Sequence, residues 1–76
     1  MQSNELIREM LDESPVWTQN KLGAKLGLSS QAMSNRMNAS DLRAGFLAEM
    51  LAVLGYELVA VPTGSRLPAG SRKVGE

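Results

Sequence analysis

Apolar residues recur with helical spacing in several separate runs before Gly55. Leu6, Ile7, Met10 and Leu11 fall at i, i+1, i+4 and i+5, one stripe of an amphipathic helix, with Ser3 or Asn4 as its N-cap and Glu5 well placed against the dipole of the first turn. Ser14-Pro15 ends that helix. Thr18 caps a second helix whose inner face carries Leu22 and Leu26, and Trp17, just ahead of the cap, is positioned to pack on Leu22 as a hydrophobic staple. Gly27 then stands where the chain must turn sharply with positive φ, and Leu28 plugs the corner. Ser29 caps a third helix in which Met33 and Met37 point inward, while Ser30, Gln31, Ser34 and Asn35 lie on other faces. Gly23 presents no side chain where the second helix should pass close to the third.

A loop at Asn38, Ala39 and Ser40 leads to a fourth helix between Asp41 and Leu54, with Leu42, Phe46, Leu47, Met50, Leu51 and Leu54 on its buried side. Its start is open between Ser40 as a cap and a shorter helix beginning near Gly45. Gly55 is the expected C′ residue, with Tyr56 folding back in a Schellman arrangement. Residues 56–61 are β-rich and stop at Pro62, so a short strand is expected there. That strand either turns back through Thr63-Gly64 onto Arg66-Leu67 or pairs with its equivalent in a second subunit; the second is favoured, making Tyr56, Leu58, Val59 and Val61 the expected dimer contacts. The predicted class is mainly α, four helices or five with a C-terminal strand, in one domain over residues 1–61; residues 62–76, rich in Pro, Gly, Ser, Arg and Lys, read as a flexible tail.

Composition narrows the chemistry. A chain of 76 residues forms one small domain, without Cys for disulfides or thiolate metal sites and without His as general base or zinc ligand. No metal or other cofactor and no small-molecule substrate is expected. The carboxylates of Glu9, Asp12 and Glu13 read as the solvated face of a helix, and Gly64, Gly70 and Gly75 do not form a phosphate-binding loop, so an enzyme is not expected. No apolar run approaches a membrane span of roughly 20 residues and the amino terminus does not read as a signal peptide, which points to a bacterial-type cytoplasm without membrane partners. Net charge is zero, yet it is unevenly spread. The first helix carries Glu5, Glu9, Asp12 and Glu13 against Arg8, whereas residues 18–43 carry Lys21, Lys25, Arg36 and Arg43 against Asp41. Such polarity suits a basic face toward nucleic acid.

Thr18-Gln19, Leu22, Leu26-Gly27-Leu28-Ser29, Met33 and Ser34 together resemble the Cro and lambda-repressor family of helix-turn-helix proteins, the Xre type. The shared pattern spans residues 18–38, and the junction through Leu54-Gly55-Tyr56-Glu57-Leu58 looks similar to small members encoded by prophages and other mobile elements. The resemblance implies a helix-turn-helix motif over residues 19–38 whose third helix enters the major groove of double-stranded DNA. By the same resemblance Ser30, Gln31, Ser34 and Asn35 contact base edges, and Gln19 and Asn38 contact phosphates. The chemistry agrees, because Gln and Asn offer a donor and an acceptor together, as adenine N7 and N6 require, and Ser serves as either. Arg36 and Lys21 are added as backbone contacts, Arg36 departing from the apolar residue or tryptophan usual at its place. Gly23 departs from the usual alanine, at an expected cost to the second helix of up to about 1 kcal/mol.

Two functions follow as expectations. The first is a transcriptional regulator, repressor-like, binding a short inverted repeat as a homodimer. The second is an antitoxin that autoregulates its operon and covers a toxin with its C-terminal segment, although Leu67 and Val74 are the large apolar anchors that the tail offers.

Overall fold

The helices among residues 2–39 and 42–74, which the computed structural model describes, are α1 (Ser3–Glu13), α2 (Gln19–Lys25), α3 (Ser30–Met37) and α4 (Ala44–Val53). Their ends follow local chemistry. Thr18 Oγ1 accepts the Lys21 N–H at 3.2 Å and Ser29 Oγ accepts that of Ala32 at 3.1 Å, so α2 and α3 start where the sequence places their caps. Between α1 and α2, Ser14 Oγ accepts the N–H groups of Val16 and Trp17, which fixes the corner after Glu13.

α2 and α4 end alike. Gly27 has φ +80°, with Leu28 N–H bonded to Gly23 O at 2.8 Å and Gly27 N–H to Ala24 O at 3.0 Å. Gly55 has φ +90°, with Tyr56 N–H on Leu51 O at 2.7 Å and Gly55 N–H on Ala52 O at 3.2 Å. Both are Schellman turns, and the left-handed residue is in each case the one without a Cβ. The first joins α2 to α3 within four residues, Leu26 to Ser29, and so sets the direction in which α3 leaves α2.

Three expectations need correcting. The N-cap of α1 is Gln2, whose N–H donates to Glu5 Oε1 at 3.2 Å, and not Ser3 or Asn4. Both of those side chains are buried and turned to distant partners: Ser3 Oγ accepts the Leu42 N–H at 2.9 Å, and Asn4 Nδ2 donates to Met37 O and Ala39 O. α4 begins at Ala44 with Arg43 as N-cap, between the two starts considered. Leu42, held by Ser3 and packed on the core, remains outside the helix; Ser40 lies outside the described residues. Residues 56–61 form no strand within the chain, and no strand occurs among the described residues. β-propensity favours a pleated surface but supplies no ladder partner, and residues 62–74 turn instead at Pro62–Ser65 and Pro68–Ser71.

The core gathers Leu6, Ile7 and Met10 of α1, Leu22 of α2, Met33 and Met37 of α3, and Leu47, Met50 and Leu51 of α4. Trp17, Leu26, Leu28 and Phe46 close its edges. The tail, though without regular structure, returns to α1: Val74 packs on the core, Arg72 pairs with Glu13 and lies 3.5 Å from Glu9, and its guanidinium sits over the Tyr56 ring. The hydrogen bond to Glu13 raises the Arg72 pKa, partly opposed by desolvation and reinforced by the Glu13 charge and by Tyr56.

α2 and α3 approach closely at Gly23. A Cβ on Gly23 would lie 2.9 Å from Met33 Cβ and 2.8 Å from Met33 Cγ. The glycine therefore does more than weaken a helix: its missing methyl is the space that the Met33 stem fills. Gly23→Ala should lower stability by up to about 2 kcal/mol, because overpacking costs of about 1–3 kcal/mol are offset by a propensity gain of about 1 kcal/mol. Thermal unfolding followed by circular dichroism measures it, and a raised melting temperature would show that Met33 yields without cost.

Candidate nucleic-acid interface

Met33 and Met37 define the inward face of α3. At about 100° per residue, Gln31 and Asn35 then point away from the core and Ser34 falls at its margin, while Ser30 lies on the methionine side by angle. Gln31 and Asn35 are exposed and Ser34 is half-buried, as that geometry requires; Ser30, the first residue of the helix, is exposed as well. One turn apart on the outer face, Gln31 and Asn35 also meet each other, Gln31 Nε2 donating to Asn35 Oδ1 at 3.1 Å. The result is a short helix with an apolar back and a front of amides and hydroxyls, free of carboxylates.

α1 mounts this helix by its C-terminal end, where carbonyls lack partners within the helix. Asn4 Nδ2 donates to Met37 O at 3.1 Å and to Ala39 O at 2.7 Å, and Arg8 Nη2 donates to Met37 O and Asn38 Oδ1, each at 2.9 Å. The orphan carbonyl of Met37 thus receives two donors, one a guanidinium that also favours the negative end of the helix dipole, and Ala39 O just beyond the helix receives one. Neither Asn4 nor Arg8 stands out in the sequence as a positioning residue. The partners lie 29–35 positions apart, beyond any local pattern.

The expected phosphate contacts are more dispersed. Gln19 is the first residue of α2 and half-buried. Lys21 reaches back to Val16 O at 3.4 Å, and Asn38 shares its side-chain oxygen with Arg8. Arg36 lies with its guanidinium carbon 4.6 Å from the Phe46 ring centroid, so its charge is held over an aromatic face at the α3–α4 junction. Arg43, counted in the sequence as part of the basic run without a site role, lines the same cleft as Arg36 together with Leu28, Phe46 and Glu49. The cations of the basic run are therefore spread over α2, the end of α3 and the start of α4. On α1 the acidic excess is reduced, since Glu9 and Glu13 face Arg72.

Tyr56, Leu58, Val59 and Val61, the expected dimer contacts, are all exposed in the single chain. No group of His, Cys, Asp or Glu that could hold a metal ion occurs among the described residues, and none of the described helices is long and apolar enough to cross a membrane. Neither a family model, nor a curated protein, nor a solved structure matches the chain.

The mount predicts a stability effect at a distance from the outer face. Asn4→Ala leaves Ala39 O without its side-chain donor, whereas Met37 O keeps that of Arg8, and an unsatisfied carbonyl shielded from water costs about 1–3 kcal/mol. Urea unfolding should show a loss of about 1–2 kcal/mol, with faster amide exchange in the last turn of α3. A loss below about 0.5 kcal/mol, the scatter of ordinary surface substitutions, would mean that Ala39 O finds another donor and that Asn4 does not hold α3.

Proposed function

We propose that the chain is a sequence-specific DNA-binding regulator of the Xre-like helix-turn-helix type, with α3 as the helix that enters the major groove. One observation carries this reading: an exposed row of Gln31 and Asn35, with Ser30 beside it, on a helix whose opposite face is locked into the core by Met33 and Met37. Amides and hydroxyls are the groups that read base edges, and a rigid mount keeps them in register with a stack of base pairs. α2 lies against α3 through Gly23, where Gln19 opens α2 as a phosphate contact, and Lys21, Arg36 and Asn38 add backbone contacts. To reach a phosphate, Arg36 leaves the Phe46 ring and Lys21 leaves Val16 O, short rotations of long side chains.

In this reading two subunits bind an inverted repeat with half-sites about one helical turn apart, joined through Tyr56, Leu58, Val59 and Val61. Residues 56–61 acquire in the partner the ladder that they lack within one chain. The antitoxin alternative asks the tail to cover another protein. Its apolar anchor Val74 and its cation Arg72 are already engaged with the core and α1, which favours the regulator.

Selection of bound sequences from a random duplex pool should return a palindromic consensus. In mobility-shift titrations, Gln31→Ala should weaken binding by about 1–3 kcal/mol with a loss of discrimination at its base pair, whereas Gln19→Ala should weaken all sequences alike. A Gln31→Ala protein that binds every duplex as the parent does would remove α3 as the reading helix. Sedimentation of the parent and of Val59→Asp tests the pairing: a dimer that survives the charge on the exposed segment would place the subunit contact elsewhere.

A further inference from the structure

We propose that the chain dimerises by exchanging tails: residues 67–74 of each subunit dock on the α1–α4 face of the other, and the connectors that cross between the two bodies pair as antiparallel strands. The inference rests on the subunit contact through residues 56–61 proposed above, and it does not depend on DNA binding.

The tail touches the body at few points. Of residues 56–74, Leu67, Arg72 and Val74 are half-buried and the rest are exposed. Val74 packs on the core, and with Leu67 it lines a groove floored by Leu6, Met10 and Leu51. Arg72 pairs with Glu13, lies 3.5 Å from Glu9 and holds its guanidinium carbon 6.0 Å from the centroid of the Tyr56 ring. Ahead of these anchors runs a connector of eleven exposed residues, 56–66, whose one backbone hydrogen bond to the body among the described residues is that of Tyr56 N–H to Leu51 O. The anchors, and not the connector, therefore set where the tail lies. Such anchors do not distinguish a chain's own tail from that of an identical copy. Fully extended, eleven residues span up to about 36 Å, close to the 39 Å of the longest dimension of the domain, so a tail can reach α1 of a body lying alongside.

A chain's own tail is always near at hand, so exchange needs a gain that the closed chain lacks. The connector supplies it. In the closed chain residues 57–61 make no backbone hydrogen bond among the described residues, and Leu58, Val59 and Val61 stay exposed across a cavity of about 710 Å³ from the tail. Two connectors crossing about a two-fold axis run antiparallel and side by side, and each then gives the other a ladder and an apolar cover. The hinge is the turn from Pro62 to Ser65, with Gly64 at φ +83° and Ser65 N–H on Pro62 O at 3.1 Å. Opening that one turn straightens the connector and leaves every anchor free to re-form on the partner.

The test swaps the charges of the latch between two chains. One carries Arg72→Glu; the other carries Glu9→Arg with Glu13→Arg. Alone, each sets like charges together in the closed and the exchanged form. Mixed, each tail meets opposite charge on the other chain's α1 and nowhere else. Native mass spectrometry of the equimolar mixture should show the mixed dimer about fivefold or more above random pairing with the two like dimers, a coupling within the range for side chains in contact. A control chain with Asp12→Arg and Glu49→Arg has the same net charge as the second chain but an intact latch, and with Arg72→Glu it should pair at random. Isotope-filtered Overhauser spectra of mixed labelled and unlabelled parent read the exchange without any substitution: contacts of the Val74 methyls with α1 should cross between chains. Dimers that pair at random in both mixtures, a control that pairs as selectively as the latch chain, or Val74 contacts confined within one chain would overturn the exchange and leave the 56–61 contact standing. A parent that stays monomeric at the concentrations of the spectra would overturn both.

Discussion

The tightest constraint on how near α3 comes to α2 is the stem of Met33 in the space that Gly23 leaves open. No other pair of helices is so constrained by an absent atom. Because the approach involves Cβ and Cγ rather than the flexible end of the side chain, the spacing is fixed by backbone placement. The Schellman turn at Gly27 sets the direction of α3, and the Gly23 contact sets its depth. Both settings act on α3 as a whole, since a shift along either one moves every outward side chain together.

Polar bonds complete what the apolar contact begins. The end of α3 is tied to α1 by Asn4 and Arg8, which answer carbonyls that a short helix leaves over. In a chain this small the buried apolar area is limited, so a few such bonds weigh more than they would in a larger domain. α1 thus has two sides with separate tasks. Leu6, Ile7 and Met10 build the core, while Asn4 and Arg8 position a helix that follows more than twenty residues later.

What the sequence made legible was local. Thr18 and Ser29 as caps, Gly27 and Gly55 as turn residues, and Leu22, Met33 and Met37 as inward positions all follow from chemistry within a few residues of each site. So does the outward placement of Gln31 and Asn35, which is the complement of the methionine face. Ser3 and Asn4 misled because short polar residues before an amphipathic stripe usually cap it, whereas here tertiary partners beyond residue 36 claim their side chains. Residues 56–61 misled for a related reason. Branched and aromatic side chains describe the surface that a strand would have, and say nothing of whether a neighbour is there to pair with it. The composition of the tail reads as flexible and carries no trace of the contacts of Arg72 with Glu9 and Glu13, which lie some sixty residues earlier in the chain.

The methionines have a consequence of their own. Met33, Met37 and Met50 are fully enclosed, and Met10 nearly so. Peroxide converts a thioether to a polar sulfoxide, but only when it can reach the sulfur. In the folded domain these sulfurs are shielded, so their oxidation waits on opening of the core, and the rate at which they are consumed counts those openings. Once one has reacted, the added oxygen cannot return to an apolar enclosure without loss, and the domain becomes a record of its own unfolding.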